Sequence, residues 1–579
     1  MIFIARCLSY RLALLCLLVN SSTQLLGQTN LQFSRSANPA HALVPATDAF
    51  AQTTTDAASS EYLARIQQAV EEGLELEKDR QWAEAIQHYE STLRSYPNQP
   101  QVRRRLQIAR LHHDVVRRTS DSAIERLVTS VTPAQALDLY SEVLARLEMS
   151  YVDAIQFSEL IRGGTAYLEV ALTEPTFVET NVPASGRERV EHFRTHIHKL
   201  TLSRPVYTRA EAKNLVAQAA EAAYQELGIQ PTATILQFTF GSISLLDPYS
   251  AFLSPAELNE VESQIEGSFV GLGIALEPHV VPLRILNVIQ GGPAREAGLL
   301  PDDRILEIGS VRCADIGAER ASDLLRGPDG SQVRLLVQRA DGQLMDRVVM
   351  RRRVDVPSVE EARILDVDSS VAYLKISSFQ KTTAQELDEA LWKLHHQGMR
   401  ALIIDLRGNP GGWLDASVAV ADRFLQEGAI VSTRGKNGIE NQNYTAQRSG
   451  TWQVPLVVLI DDQSASASEI LAGAIRDNNR GILVGSTTYG KGSVQGLFHT
   501  KLLDCGIRLT VSKFYSPSGR AISDLGVQPN VPVAKDSTSH FVARPIPGQS
   551  NAPTDSALKV ALETARSSGV AGFASNSNR

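Results

Sequence analysis

Positive charge is not in excess in this chain: Lys+Arg 57 stand against Asp+Glu 64, a net charge of −7 over 579 residues. Phosphate binding needs a concentrated basic surface, so a nucleic-acid partner is not expected. Cysteine is nearly absent; four in this length make no disulfide scaffold. No apolar run reaches the roughly 20 residues that span a bilayer, the longest candidate being the eight residues Leu12–Val19. No His/Cys/Asp/Glu cluster has metal-ligand spacing, and the pair His395-His396 reads as an exposed helix face. Neither metal nor cofactor is therefore expected. What is present is an ordinary globular composition, 43% hydrophobic and 21% charged, which excludes whole-chain disorder and collagen-like or coiled-coil sequence. The length suggests about three or four domains.

Arg6 and Arg11 precede the Leu12–Val19 run and a polar stretch follows, which reads as a secretory signal over residues 1–27. Export to the periplasm or cell envelope is expected, with an uncleaved membrane anchor as the alternative. Removal of the signal takes Cys7 and Cys16 with it. Cys313 and Cys505 remain, in separate expected domains, so no structural bridge is expected.

The chain is expected to be a multidomain α+β protein. Residues 28–60, rich in Ser, Thr, Ala and Gln, read as a flexible linker. Residues 61–172 read as helical, with Leu63, Ile66, Val70 and Leu74 at helical spacing. Within them Trp82–Pro97 resembles the second helix of a tetratricopeptide unit, and Gly73 falls at the matching first-helix position. One such unit cannot bury its own face, so a plain helical hairpin packed on neighbours is an equal reading. Residues 173–266 read as a further helical part, with a helix over Leu215–Leu227 and another from Pro255; 173–230 suggest no function. From Gly267 short strands alternate with glycine turns, and the Gly271-Leu-Gly273-Ile loop with Gly292-Pro-Ala…Ala-Gly298-Leu resembles a PDZ domain over 267–353. That resemblance implies strand addition by a peptide, its carboxylate received by backbone N–H groups of Gly271, Leu272, Gly273 and Ile274. Asp302 stands where the family usually has glycine, so that turn is expected to differ. Residues 354–533 read as α/β, with buried-type strands Val371–Ile376, Ala401–Leu406, Ile430–Thr433, Leu456–Ile460 and Ile482–Val484. Residues 534–579 read as a low-complexity tail with one short helix near Ser556–Ala565.

Three segments carry chemistry: Asp405-Leu-Arg-Gly-Asn-Pro-Gly411-Gly412, Ser464-Ala-Ser466-Ala-Ser-Glu469 and Gly490-Lys491-Gly-Ser-Val-Gln495. Each has a bland explanation. Ser466…Glu469 fits a helix capping box, the glycines a tight turn, and Lys491 a surface lysine. Gly485–Lys491 also matches the start of a phosphate-binding loop, but residue 492 is Gly and a strand follows, so that reading is rejected. Together they make a hydrolytic site. Serine needs an adjacent base, and a lysine made neutral by burial can serve. Gly490 and Gly492 would let the lysine backbone pass close to the nucleophile. Ser466 at a helix N-terminus sits beside free N–H groups, and those of Ala467 and Gly412 would form an oxyanion hole. His499, on an expected strand, reads as structural, which favours a Ser–Lys dyad over a Ser-His-Asp triad.

These segments closely resemble the carboxyl-terminal processing (tail-specific) proteases, from about Asp247 to Pro532. The resemblance implies a crotonase-like α/β serine protease domain with Ser466 as nucleophile and Lys491, 25 residues later, as base. It implies that Gln495 orients the lysine, that Gly412 is an oxyanion donor, and that Asp477 occupies a position implicated in some members, although a helix-end role reads equally well. It further implies protein substrates with apolar C-terminal tails, PDZ gating, and helical regions that form homo-oligomers or hold a protein adaptor. The alternatives are an inactive PDZ and TPR-like adaptor on a protease scaffold, which would have lost Ser466 or Lys491, and a coenzyme-A enzyme, which explains neither the PDZ domain nor the Ser–Lys spacing.

Overall fold

The computed structural model describes residues 49–277, 280–534 and 555–576. The expected signal and residues 28–48 of the expected linker lie outside them. The chain divides into two compact units, one of residues 49–141 with 156–248, the other of 142–155 with residues from 249 onward.

The first unit is helical. Its opening helix, Ala49–Lys78, starts inside the stretch expected to be a linker, where Ala49, Ala51, Ala57 and Ala58 favour helix over coil. A three-residue turn joins it to Trp82–Ser95, and Pro100–Thr119 follows. The hairpin closes on Gly73: a Cβ there would meet Tyr89 Cε1 at 2.2 Å, so only glycine admits the ring. Tyr89 is fully buried and its hydroxyl donates to Glu77 at 2.6 Å, satisfying the one polar atom it carries inward. Ile66, Val70, Ile86, Leu93, Val102 and Leu106 complete this core. Further on, Arg209–Leu227 begins six residues earlier than expected because Thr208 and Glu211 form a reciprocal capping box; Gly228, left-handed at φ +76°, ends it.

Among its described residues the second unit holds four sheets, two of them six-stranded. In the first, antiparallel strands run in the order Ile274–Leu276, Leu283–Val288, Arg304–Ile308, Gln332–Gln338, Leu344–Met350, with the helix Cys313–Leu325 packed on them. Ile274–Leu276 ends this order and so presents an edge. Asp302, in the turn expected to differ, takes the left-handed conformation itself (φ +72°), which Asp tolerates better than most residues, and its carboxylate accepts from Arg284.

In the second six-stranded sheet, Val359–Asp366 is an antiparallel edge; beside it lie β1 (Val371–Ile376), β2 (Ala401–Asp405), β3 (Leu456–Ile460), β4 (Ile482–Gly485) and β5 (Val531–Pro532), all parallel. β2 and β3 are buried at every residue, as unbroken apolar runs covered on both faces must be. One face packs on Thr383–His396, Leu414–Ala421 and α1 (Ala467–Asp477). The other is covered by α2 (Ser556–Asn576), through the fully buried Ala561 and Ala565. The short helix expected near Ser556–Ala565 is formed and runs on to Asn576, its alanines packed against the sheet. The expected strand Ile430–Thr433 is formed within Ala429–Gly435; it pairs antiparallel with Gly506–Tyr515, in a separate sheet that also includes Ala251–Leu253, Ser493–His499 and Asn443–Thr445. Its exposed Ala429 and Arg434 mark a half-covered strand rather than a central one.

Candidate active site

The three segments follow three neighbouring parallel strands. The glycine turn leaves β2, the serine loop β3 and the lysine loop β4, with Asp405 paired to Leu459 and Ile460 to Gly485. Register alone thus delivers all three loops to one sheet edge, where open α/β folds place their sites.

The serine loop is tied to the glycine turn at several points. Asp461 Oδ1 accepts from the N–H groups of Gly408 (3.0 Å) and Ser464 (2.9 Å). Ser464 Oγ donates to Leu406 O at 2.9 Å, and Asn409 O accepts from Ala465 N and Ser468 Oγ, both at 3.0 Å. The Asn409 amide donates to Ile376 O, and its oxygen accepts from Gly411 N, both at 2.8 Å. Ser466 is the N-cap of α1, held at φ +56°, ψ −113°. A non-glycine residue there is strained, and such strain gathers at functional sites.

Gly411 and Gly412 have different tasks. A Cβ on Gly411 would meet Ala465 O at 2.7 Å, Ser466 Cβ at 2.8 Å and Ala467 N at 2.9 Å, so this glycine lets the turn press against the nucleophile. Gly412, at φ +141°, lies against Phe379, whose N–H donates to Gly411 O and whose O accepts from Trp413 N. Those bonds do not use the Gly412 N–H. Neither it nor the Ala467 N–H donates to another group among the described residues.

Glu469, which the sequence offered only as half of a cap, joins the serine and lysine loops. Oε2 accepts from Ser466 N (2.7 Å) and Lys491 N (2.8 Å), and Oε1 from Gly490 N (2.7 Å) and Thr488 Oγ1 (2.6 Å). Burial pushes its pKa up to about 7, against the pull of those four hydrogen bonds. A charged residue inside Ala-Ser-Glu-Ile-Leu-Ala, on a helix that buries both its flanks, was the signal available for it. Tyr489 N also donates to Ser464 O at 3.0 Å. The Lys491 ammonium lies over the Tyr249 ring, 4.9 Å from its centroid.

Gly490 and Gly492 are not where the expected close approach occurs. Cβ atoms on them would meet the backbone of Asp524 (3.1 Å) and Ser523 (2.3 Å), so they admit that turn rather than the nucleophile. Gln495 stands on the strand after the lysine with its amide donating to Ser493 Oγ at 2.9 Å. Asp477 ends α1, roughly 15 Å along the helix from Ser466. There it accepts from Arg476 Nε (2.9 Å) and Ser518 Oγ (2.8 Å), and those bonds outweigh burial to hold its pKa below the usual value. His499 is exposed and paired with Glu262 at 2.9 Å. In the sheet that contains Ile274–Leu276, Gly273 is left-handed at φ +76°; Gly273 O accepts from Ile289 N and Leu272 O from Ala294 N, both at 2.8 Å, which fixes the loop before the free edge. Among the described residues no group of three or more His, Cys, Asp or Glu is placed to hold a metal, and no helix is long and apolar enough to cross a membrane.

The peptidase family S41 profile matches residues 370–533, and a PDZ domain profile matches 284–339. A carboxyl-terminal-processing protease of Synechocystis sp. is 37% identical over 292 residues, 50% of this chain and 68% of that protein. A chloroplastic carboxyl-terminal-processing peptidase of Arabidopsis thaliana is 30% identical over 352 residues, 57% of this chain and 67% of that one. A solved photosystem II D1 C-terminal processing protease aligns with 69% of this chain and 92% of its own, at 24% identity and a TM-score of 0.36.

Proposed function

The chain belongs to the carboxyl-terminal processing proteases, serine peptidases of family S41 with a PDZ domain, and from that premise we propose that it grips the C-terminal tail of a protein substrate and cuts nearby with a Ser466–Lys491 dyad. Ser466 Oγ attacks the peptide carbonyl while neutral Lys491 Nζ takes its proton. The N–H groups of Gly412 and Ala467 hold the oxyanion. Collapse expels the amine, which takes the proton from the Lys491 ammonium, and leaves an acyl-enzyme. Lys491 then deprotonates a water that releases Ser466. Gln495 would orient the lysine on releasing Ser493 Oγ, to which its amide donates here.

The observation that carries the reading is the Glu469 carboxylate, which receives the backbone N–H of both Ser466 and Lys491 and so fixes nucleophile and base to one anchor. The unspent N–H groups of Ala467 and Gly412 support the oxyanion hole. The Ile274–Leu276 edge, preceded by the Gly271–Ile274 loop, supports addition of an apolar tail as a further strand. The N-terminal helical hairpin is the candidate for oligomer or adaptor contacts, and the basic, apolar start of the sequence for export to the periplasm or envelope.

The test uses wild type, Ser466→Ala and Lys491→Ala on an unfolded protein ending in apolar residues and on the same protein ending in Asp-Asp. Wild type should cleave the apolar-tailed substrate alone and lose activity as pH falls and lysine protonates. Equal cleavage by all three enzymes would refute the dyad; equal cleavage of both tails would refute tail recognition.

A further inference from the structure

Arg407 opens the glycine turn, and its guanidinium lies between carboxylates from two distant parts of the chain. Asp405, buried at the end of β2, accepts from Arg407 Nη2 at 2.6 Å and Nε at 3.0 and 3.1 Å, as well as from the Tyr373 hydroxyl at 2.9 Å. Asp555 takes the remaining donors in bidentate fashion, Nη1 to Oδ1 at 2.8 Å and Nη2 to Oδ2 at 2.9 Å. Planar two-bond pairing of this kind fixes orientation as well as charge. Asp555 is itself held, since Oδ1 also accepts from Leu558 N at 2.9 Å in the first turn of α2. Helix α2 is seated on the sheet by Ala561 and Ala565 and, at the next residue, by an Arg566–Asp366 ion pair at 2.9 Å.

We infer that Asp555 is a positioning residue for the oxyanion turn: with α2 docked, it locks Arg407 and so sets where the following Gly408–Gly412 backbone presents its N–H. The inference rests on the reading of Gly412 as an oxyanion donor. It makes the C-terminal helix part of the catalytic apparatus, although it touches no reacting atom. The Arg566–Asp366 pair separates this role from simple docking, because it holds the same helix without touching the turn.

Full-length wild type, D555N, D555E, R566Q and S466A are compared in steady-state cleavage of one substrate, together with amide hydrogen exchange at residues 408–412. D555N should lower kcat about tenfold with KM within twofold, a fraction of the 100-fold or more that loss of a whole oxyanion donor costs. It should also speed exchange at Gly408, Gly411 and Gly412. D555E should recover at least half of kcat, and R566Q should stay within twofold of wild type. A D555N kcat within twofold of wild type would overturn the inference, as would an equal loss in R566Q, which would reduce Asp555 to a docking contact. If S466A still cleaves, the serine reading fails by itself; unchanged exchange at 408–412 in D555N would then still overturn the clamp.

Discussion

At Glu469 four donors converge on two oxygens; the ionised carboxylate accepts all four, and the protonated one sets a single O–H against them. Glu469→Gln sets an amide N–H₂ against two of those donors, so stability should fall by about 2–4 kcal/mol at low pH and cleavage by about 100-fold or more as both loops shift. The pH dependence has a definite sign. Burial raises this carboxyl from its ordinary value to about 7, so the protonated form is favoured by the fold. That contribution is complete below the unfolded value near 4.5 and is lost as pH rises through 7. The Tm advantage of wild type over Glu469→Gln should therefore shrink between pH 4.5 and 7; a constant or widening gap would count against the assignment. Gly411→Ala is the matching test on the turn. With φ at +101° and Ser466 Cβ only 2.8 Å from the added atom, kcat should drop about 100-fold, read in the same cleavage assay; near-normal kcat would mean that the turn yields. Ser466 and Lys491 could be proposed from the sequence because their spacing and flanking residues match a family pattern. Glu469 was not, since a cap and a bridge between loops look identical in a string of letters until the partner strand is known.

Among the elements, β1 and β3 could be read to the residue because short runs rich in Val, Ile and Leu, broken only by Lys375 in β1, have few other uses. The Ile430–Thr433 run looked the same, yet it belongs to another sheet: a four-residue run reports burial, not partners. Helix α2 was expected near Ser556–Ala565, but its run on to Asn576 and its seat on the sheet were not. Its seat on the sheet is made by alanines, whose small apolar area gives little hydrophobic signal in a Ser/Thr/Ala-rich tail. The hairpin around Gly73 was one of two equal readings of the stretch, drawn from the likeness of Trp82–Pro97 to a tetratricopeptide second helix with Gly73 at the matching first-helix position. Gly73→Val should cost about 1–3 kcal/mol by overpacking, measured by denaturant unfolding. Adding Tyr89→Ala should return part of the loss, because the two side chains occupy one space; strictly additive losses would show that they do not meet.

In the whole molecule, a free sheet edge and the loops that carry the proposed dyad, which follow adjoining strands of a parallel sheet, belong to one compact unit. The central claim is that Ser466 becomes covalently acylated with Lys491 as the base. The most direct measurement is acid-quenched intact-mass spectrometry, with peptide mapping, after mixing with an activated ester of a short peptide. The account predicts one acyl group on Ser466 in wild type, none in Ser466→Ala, and acylation slowed about 100-fold or more in Lys491→Ala, the scale expected when a general base is lost. An acyl group on another residue, or acylation of Lys491→Ala at the wild-type rate, would contradict it.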